Sequence, residues 1–243
     1  MSAQKADIIA QLRKDILSLE GFKPVCGEGT GRVRLGPVDQ AFPNKIFPTG
    51  AIHEFQCPAM EDAAATSGFI AGILSTLMHK GGATLWISQH NTIFPPALRL
   101  FGIEPDKVIF VRLQKEKDIL WAMEEALKCD GLAAVVGELQ DISFTASRRL
   151  QLAVEQSRVT GFVIRRSQKD QHTTACVARW KITSIPSATT GGMPGVGFAR
   201  WNVSILKVRN GSPGTWQLEW TAGRFRHIPK LTAIPLQQKR KTG

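Results

Sequence analysis

Residues 50–78 read GAIHEFQCPAMEDAAATSGFIAGILSTLM, an apolar strand, a short turn and a long helix. In that setting a G-x-x-x-x-G-K-[ST] turn holds a nucleotide. Its glycines let backbone N–H groups converge on the phosphates, its lysine reaches the outer phosphates, and its hydroxyl binds magnesium. Here the first glycine position is Cys57, the second Asp62, the lysine position Ala63 and the hydroxyl position Ala64. Glu61 and Asp62 would set two carboxylates against a polyanion, which is repulsive. They suit the positive end of the helix dipole better. The turn reads as a degenerate phosphate loop: Cys57, Glu61, Asp62, Ala63 and Ala64 stand where working residues would.

The supporting chemistry is sparse. The strand ending VVGEL puts Glu138 where a magnesium-orienting carboxylate would stand, the Walker B position, although a carboxylate at a strand end is common. After ATLWIS the chain runs QHNTIFPPALRLFG, with no acid to orient a hydrolytic water. No catalytic residue is assigned, and ATP hydrolysis by this chain is not expected. The four cysteines lie far apart without a C-x-x-C pair, and the five histidines are scattered. Neither a zinc site nor a disulfide framework is expected, no metal ligand or cofactor is assigned, and a reducing cytoplasm fits. No apolar run reaches bilayer-spanning length, so no membrane role is expected.

Several elements must position these residues. Residues 3–20 form an amphipathic helical pattern in which Ile8, Ile9, Leu12, Ile16 and Leu19 recur at helical spacing. Residues 21–49 are rich in Gly and Pro and read as an extended connector. A core over 50–229 follows. Strands at 50–56, 83–88, 107–113, 132–139 and 161–166 alternate with helices at 62–79, 116–129 and 145–158. Near-continuous apolar strands of this kind predict a parallel sheet covered on both faces. After 166 the helices stop. TACVARWKITSIPS, ARWNVSILKVRNG and GTWQLEWTAGRFRHI read as three antiparallel strands, with RNGSPG as a hairpin whose Asn-Gly supplies positive φ. The tail 230–243 is basic.

Charge is unevenly placed along the chain. Up to Thr145 there are fourteen Lys and Arg against seventeen Asp and Glu; from Ala146 onward there are seventeen against three. Together they give the net +11, to which the first part contributes −3 and the second +14. Such a half suits a polyanion, although a solvated basic face is the plainer reading.

IFPTGAIHEFQCP resembles the entry to a RecA-type recombinase core, and FTASRRLQLAVEQSRVTGFVIRR the helix and strand after that core's Walker B strand. The run GVGFARWNVSILKVRNGSPGTWQLEW narrows the resemblance to the ImuA family, RecA-like accessory proteins of bacterial mutagenic DNA repair. It extends over about residues 35–222. The resemblance implies an α/β fold, RecA-like, with a mostly parallel sheet flanked by helices and extended by C-terminal antiparallel strands. It implies a non-catalytic scaffold in damage-induced (SOS) translesion synthesis, cytoplasmic and nucleoid-associated. The partners implied are ImuB, an inactive relative of Y-family polymerases, an error-prone C-family DNA polymerase, RecA, and single-stranded DNA. Two alternatives stand beside it: a DNA-dependent ATPase with an unorthodox site using Glu138, and a cell-division inhibitor, since some relatives of this fold block division.

A RecA-like core binds single-stranded DNA through the loops after its fifth and sixth strands, here about 166–175 and 188–198. Arg165, Arg166 and Lys169 flank the first, and Thr189, Thr190, Gly191, Gly192 and Arg200 belong to the second. Mobile glycine N–H groups beside guanidiniums suit phosphate contact; a plain flexible loop accounts for the string equally well. Trp180, Trp201, Trp216 and Trp220 could stack bases, but their spacing within strands favours the core. The 3–20 helix either docks on another subunit or packs on its own core.

Overall fold

The structure is a computed structural model that describes Ile8, Gln11, Leu12 and residues 32–167, 172–188 and 197–229. Among the described residues nine strands form one sheet in the order β3-β2-β4-β5-β1-β6-β7-β8-β9. The parallel part comprises β1 (Ile52–Gln56), β2 (Ala83–Ser88), β3 (Val108–Arg112), β4 (Leu132–Leu139), β5 (Thr160–Arg165) and β6 (Ala178–Ala188). β7 (Phe198–Val208), β8 (Gly214–Thr221) and β9 (Arg224–His227) extend it antiparallel.

Helix α1 (Glu61–Leu77) packs on one face. It buries Phe69, Ile70, Ile73 and Leu74 against Phe55, Phe162, Trp180 and Trp201. α2 (Glu116–Leu127) and α3 (Phe144–Ser157) cover the other face, where Ile119, Met123, Leu150 and Val154 meet Ile52, Val135 and Val163. α3 starts where Ser143 caps it, its Oγ accepting from the Ala146 N–H at 3.1 Å. No helix among the described residues is long and apolar enough to cross a membrane.

The described part of the stretch read as an extended connector, 32–49, instead belongs to the core. It forms two 3-10 turns and buries Val33, Leu35, Val38, Phe42 and Phe47. Its glycines and prolines had masked an apolar residue at nearly every second or third position. The stretch is sewn to the β7–β8 hairpin, where Ser212 N–H donates to the Ala41 carbonyl at 3.0 Å. A Cβ on Gly211 would sit 2.1 Å from that carbonyl oxygen. Glycine is needed there for close approach. Of the Asn-Gly pair expected to supply positive φ at this turn, Asn210 does so (φ 56°) and Gly211 does not.

The last strand read from sequence is two strands. Ala222 (φ 50°) and Gly223 (φ 70°) reverse the chain between β8 and β9. Ala is not a turn-former, so the break gave little signal.

Two titratable groups are held away from their ordinary state. His53 is fully buried, and its Nε2 lies 2.7 Å from the Pro48 carbonyl, a bond that the imidazole must donate. Burial lowers its pKa to about 4, against a smaller opposing effect of that bond. Asp39 accepts from Leu35 N–H with both oxygens at 3.2 Å, yet burial raises its pKa to about 6. The signs oppose. Between about pH 6.5 and 4 the unfolded chain protonates His53 while the folded chain does not, so stability falls with acid. Between about pH 6 and 3.8 the folded chain holds the Asp39 proton that the unfolded chain releases, so stability rises with acid. Asp39→Asn is expected to expose the His53 slope as a stability loss of roughly 1 kcal/mol per pH unit below pH 6. Urea unfolding of both proteins from pH 7 to 4.5 checks it; parallel curves would refute the assignment.

Candidate functional site

The carboxyl ends of β1, β4 and β5 come together at one edge of the parallel sheet, and the phosphate-loop candidate lies among them. Four residues, Cys57 to Met60, join β1 to α1. Cys57 N–H donates to the Arg165 carbonyl at 2.8 Å, and its Sγ–H to the Ala59 carbonyl at 3.5 Å. Burial raises the Cys57 thiol above its ordinary range, so it stays protonated at neutral pH. α1 begins at Glu61, one residue before the second-glycine position. The N–H groups of Asp62 and Ala63 bond to the carbonyls of Ala59 and Met60, both at 3.2 Å. The helix start is closed on itself, with Glu61 and Asp62 in its first turn. Ala64 lies inside the helix. Met60 points into solvent, 87% exposed.

Glu138, at the end of β4, is buried and fully engaged. Its Oε1 accepts from Trp86 Nε1–H at 3.0 Å and from the Thr92 hydroxyl at 2.5 Å. Its Oε2 meets an Arg166 guanidinium nitrogen at 2.5 Å. The cavity that Glu138 and Arg166 line with Gln89, His90 and Gln140 is about 60 Å³. Small-molecule sites generally need about 300 Å³ or more. Arg166 thus takes the carboxylate oxygen that Trp86 and Thr92 leave free.

Arg165, read as a DNA candidate, is not at the surface. It is 2% exposed and belongs to a buried ionic cluster. Glu54, wholly buried on β1, receives Arg165 Nη1 at 3.3 Å, Arg179 Nε at 3.0 Å and the Thr174 hydroxyl at 2.6 Å. Asp141 meets Arg165 Nε at 2.6 Å from the other side. Arg165 ends β5 on the face where α3 packs, so its side chain turns under the helix and not into the loop. The cluster anchors the segment entering β6: Arg179 Nη2 donates to the His172 carbonyl at 2.8 Å, and His172 Nε2 lies 2.6 Å from the Ile142 carbonyl. Sequence reasoning missed Glu54. Its signal was a lone acid in the otherwise apolar GAIHEF.

Arg200 is half-buried and paired with Glu219 at 2.6 Å across β7 and β8. Lys169, Thr189, Thr190, Gly191 and Gly192 lie outside the described residues, so the structure brings none of the loop candidates together except Arg166, which is committed to Glu138. Trp180, Trp201 and Trp220 are buried in the core, and Trp216 packs against it. Ile8 and Leu12 are helical and exposed at 59% and 55%; Ile9, Ile16 and Leu19 lie outside the described residues.

The strand order, with β5 between the phosphate-loop strand and the Glu138 strand, defines a RecA-like core. A crystal structure of the RadB recombinase matches it with a TM-score of 0.53 at 14% identity, covering 75% of this chain and 93% of that one. No model of a known protein family matches the chain. Protein ImuA of Caulobacter vibrioides, found in two strains, is 33% identical over 194 residues, covering 75% of this chain and 80% of its own length. The chain belongs to the ImuA family. The cell division inhibitor SulA of Photorhabdus laumondii is 28% identical over 103 residues, covering 42% of this chain and 58% of that protein.

Proposed function

We propose that this chain is a RecA-like scaffold that works without nucleotide in DNA-damage-induced, error-prone translesion synthesis. It docks an ImuB-like inactive Y-family polymerase relative beside an error-prone C-family DNA polymerase, and it contacts single-stranded DNA through the loops after β5 and β6. One observation carries the non-catalytic part: Arg166 closes on Glu138 at 2.5 Å, beside a helix start whose N–H groups are already bonded. Membership of the ImuA family supports the repair setting. The exposed helical Ile8 and Leu12 support docking of the N-terminal helix on another subunit, RecA among the candidates.

Titration with ATP and magnesium tests the reading, followed by the change in tryptophan fluorescence, since Trp86 donates to Glu138. Binding is expected only at about 1 mM or weaker, some 4 kcal/mol or less. Micromolar binding would replace the scaffold with a DNA-dependent ATPase. The similarity to SulA favours a second reading, a division inhibitor. Expression that filaments cells without affecting damage-induced mutation would favour it.

A further inference from the structure

The sheet is covered unevenly. α1 lies on one face as far as β6 and beyond it, over Trp201, Trp220 and Phe225. On the other face α3 reaches β1, and from β6 outward no helix lies among the described residues. Along β6, β7 and β8 the buried Trp180, Ile182, Trp201, Val203, Leu218 and Trp220 point to α1. Their alternating neighbours form the uncovered face. Thr183, Asn202 and Gln217 make one row across it. Lys181 and Arg226 lie two positions from that row on either side, and Lys207 and Arg224 two positions further out, all exposed. Among the described residues none of the four has an ion-pair partner, and the one acid in their midst, Glu219, is already paired with Arg200.

Three of the seventeen cations of the second half, Arg165, Arg166 and Arg179, are spent on buried carboxylates. What remains free on these strands lies on a polar, hydrogen-bonding surface three strand spacings wide, about 15 Å, and roughly 27 Å long, with Lys181 and Lys207 toward one end and Arg226 and Arg224 toward the other. The tryptophans of these strands face the other way, and strand alternation leaves one ring, the exposed Phe198 of β7, on this side. One ring is no series of platforms for successive bases, which sets it apart from a single-strand groove. Cations and hydroxyls on a rigid sheet, with no series of stacking rings, suit the phosphates of an intact duplex, where charge density is highest.

We infer that the uncovered face of β6 to β9 is a sequence-independent docking surface for the phosphodiester backbone of duplex DNA, separate from the loops after β5 and β6. It rests on the repair reading above and adds a second nucleic-acid site to it. A scaffold of this form would hold the paired and unpaired sides of one junction on different surfaces.

The test compares the full chain with the quadruple variant Lys181→Gln, Lys207→Gln, Arg224→Gln, Arg226→Gln, all exposed positions. Anisotropy of a labelled duplex of roughly 20 base pairs and of its single strand is read across about 50–200 mM salt. For the duplex, the slope of log affinity against log salt is expected to flatten by about 2–4, with at least a tenfold loss of affinity at the low-salt end. The single strand should lose less. Lys115→Gln with Lys117→Gln and Arg148→Gln, cations on the α2–α3 side, should leave the duplex slope as it was. An unchanged duplex slope in the quadruple variant would overturn the inference while leaving loop-mediated DNA contact standing. Equal losses on duplex and single strand would overturn the duplex assignment. Failure of the unaltered chain to bind either nucleic acid would remove both this surface and the DNA part of the proposed function, and would point the cations toward an acidic protein.

Discussion

Glu54→Gln is expected to destabilise the protein by roughly 3–5 kcal/mol, the usual consequence of removing one partner from a buried ion pair. Glu54 has no exposed surface and receives two guanidiniums and one hydroxyl. Glutamine keeps the shape but loses the charge, leaving Arg165 and Arg179 buried with only Asp141 to share. For a domain whose whole stability is about 5–15 kcal/mol, such a loss brings unfolding into reach of growth temperature. Urea unfolding reads it directly. A triple replacement of Glu54, Arg165 and Arg179 by Met and Leu removes the three buried charges at once, leaving only the solvent-accessible Asp141, and should recover most of the loss. A penalty below about 1 kcal/mol for Glu54→Gln would show that the cluster is wet enough to tolerate an unpaired cation.

Trp180→Ala is the second large effect, at roughly 3–5 kcal/mol. Trp180 is fully buried and is the hub of an aromatic cluster. It stacks on Phe55 with centroids 5.6 Å apart and planes 3° from parallel. It also meets Phe42 at 5.6 Å, Phe69 at 5.9 Å and Phe47 at 6.2 Å. Its Nε1–H donates to His53 Nδ1 at 3.3 Å, which leaves Nε2 to carry the proton toward Pro48. Truncation removes the packing of four rings and orphans a buried imidazole nitrogen. Trp180→Phe keeps most of the volume and loses only the donor, so it should cost about 1–3 kcal/mol. The difference between the two variants in denaturant midpoint isolates the packing share. If alanine and phenylalanine cost the same, the hydrogen bond, not the ring cluster, governs this site.

Much of the fold was legible because its signals are local. The parallel core announced itself through apolar runs such as ATLWIS and LAAVVGEL separated by helical patterns, and the observed strands fall within a residue or two of those runs. What could not be read depends on where a chain segment lands. Val33, Leu35 and Val38 follow no helix or strand period, and only the sheet beside them makes them core. The site divides the same way. Substitution of the phosphate-loop residues is visible residue by residue. The fates of the cations are not: Arg165 and Arg166 are neighbours in sequence, yet strand alternation sends one under α3 and the other to Glu138. Charge counting found a basic half of the chain; pairing decides which of those charges remain available.

The two margins of the sheet are unlike. β3 offers an apolar edge with Ile109 and Phe110 partly exposed, and β9 a short edge carrying Arg224, Arg226 and His227. Two β9 edges repel one another, whereas two β3 edges can pair. Self-association through β3 alone is isologous and closes at two copies. Growth past a pair along the sheet has one route, β3 of one copy against β9 of the next, a head-to-tail contact that must either close into a ring or continue without limit.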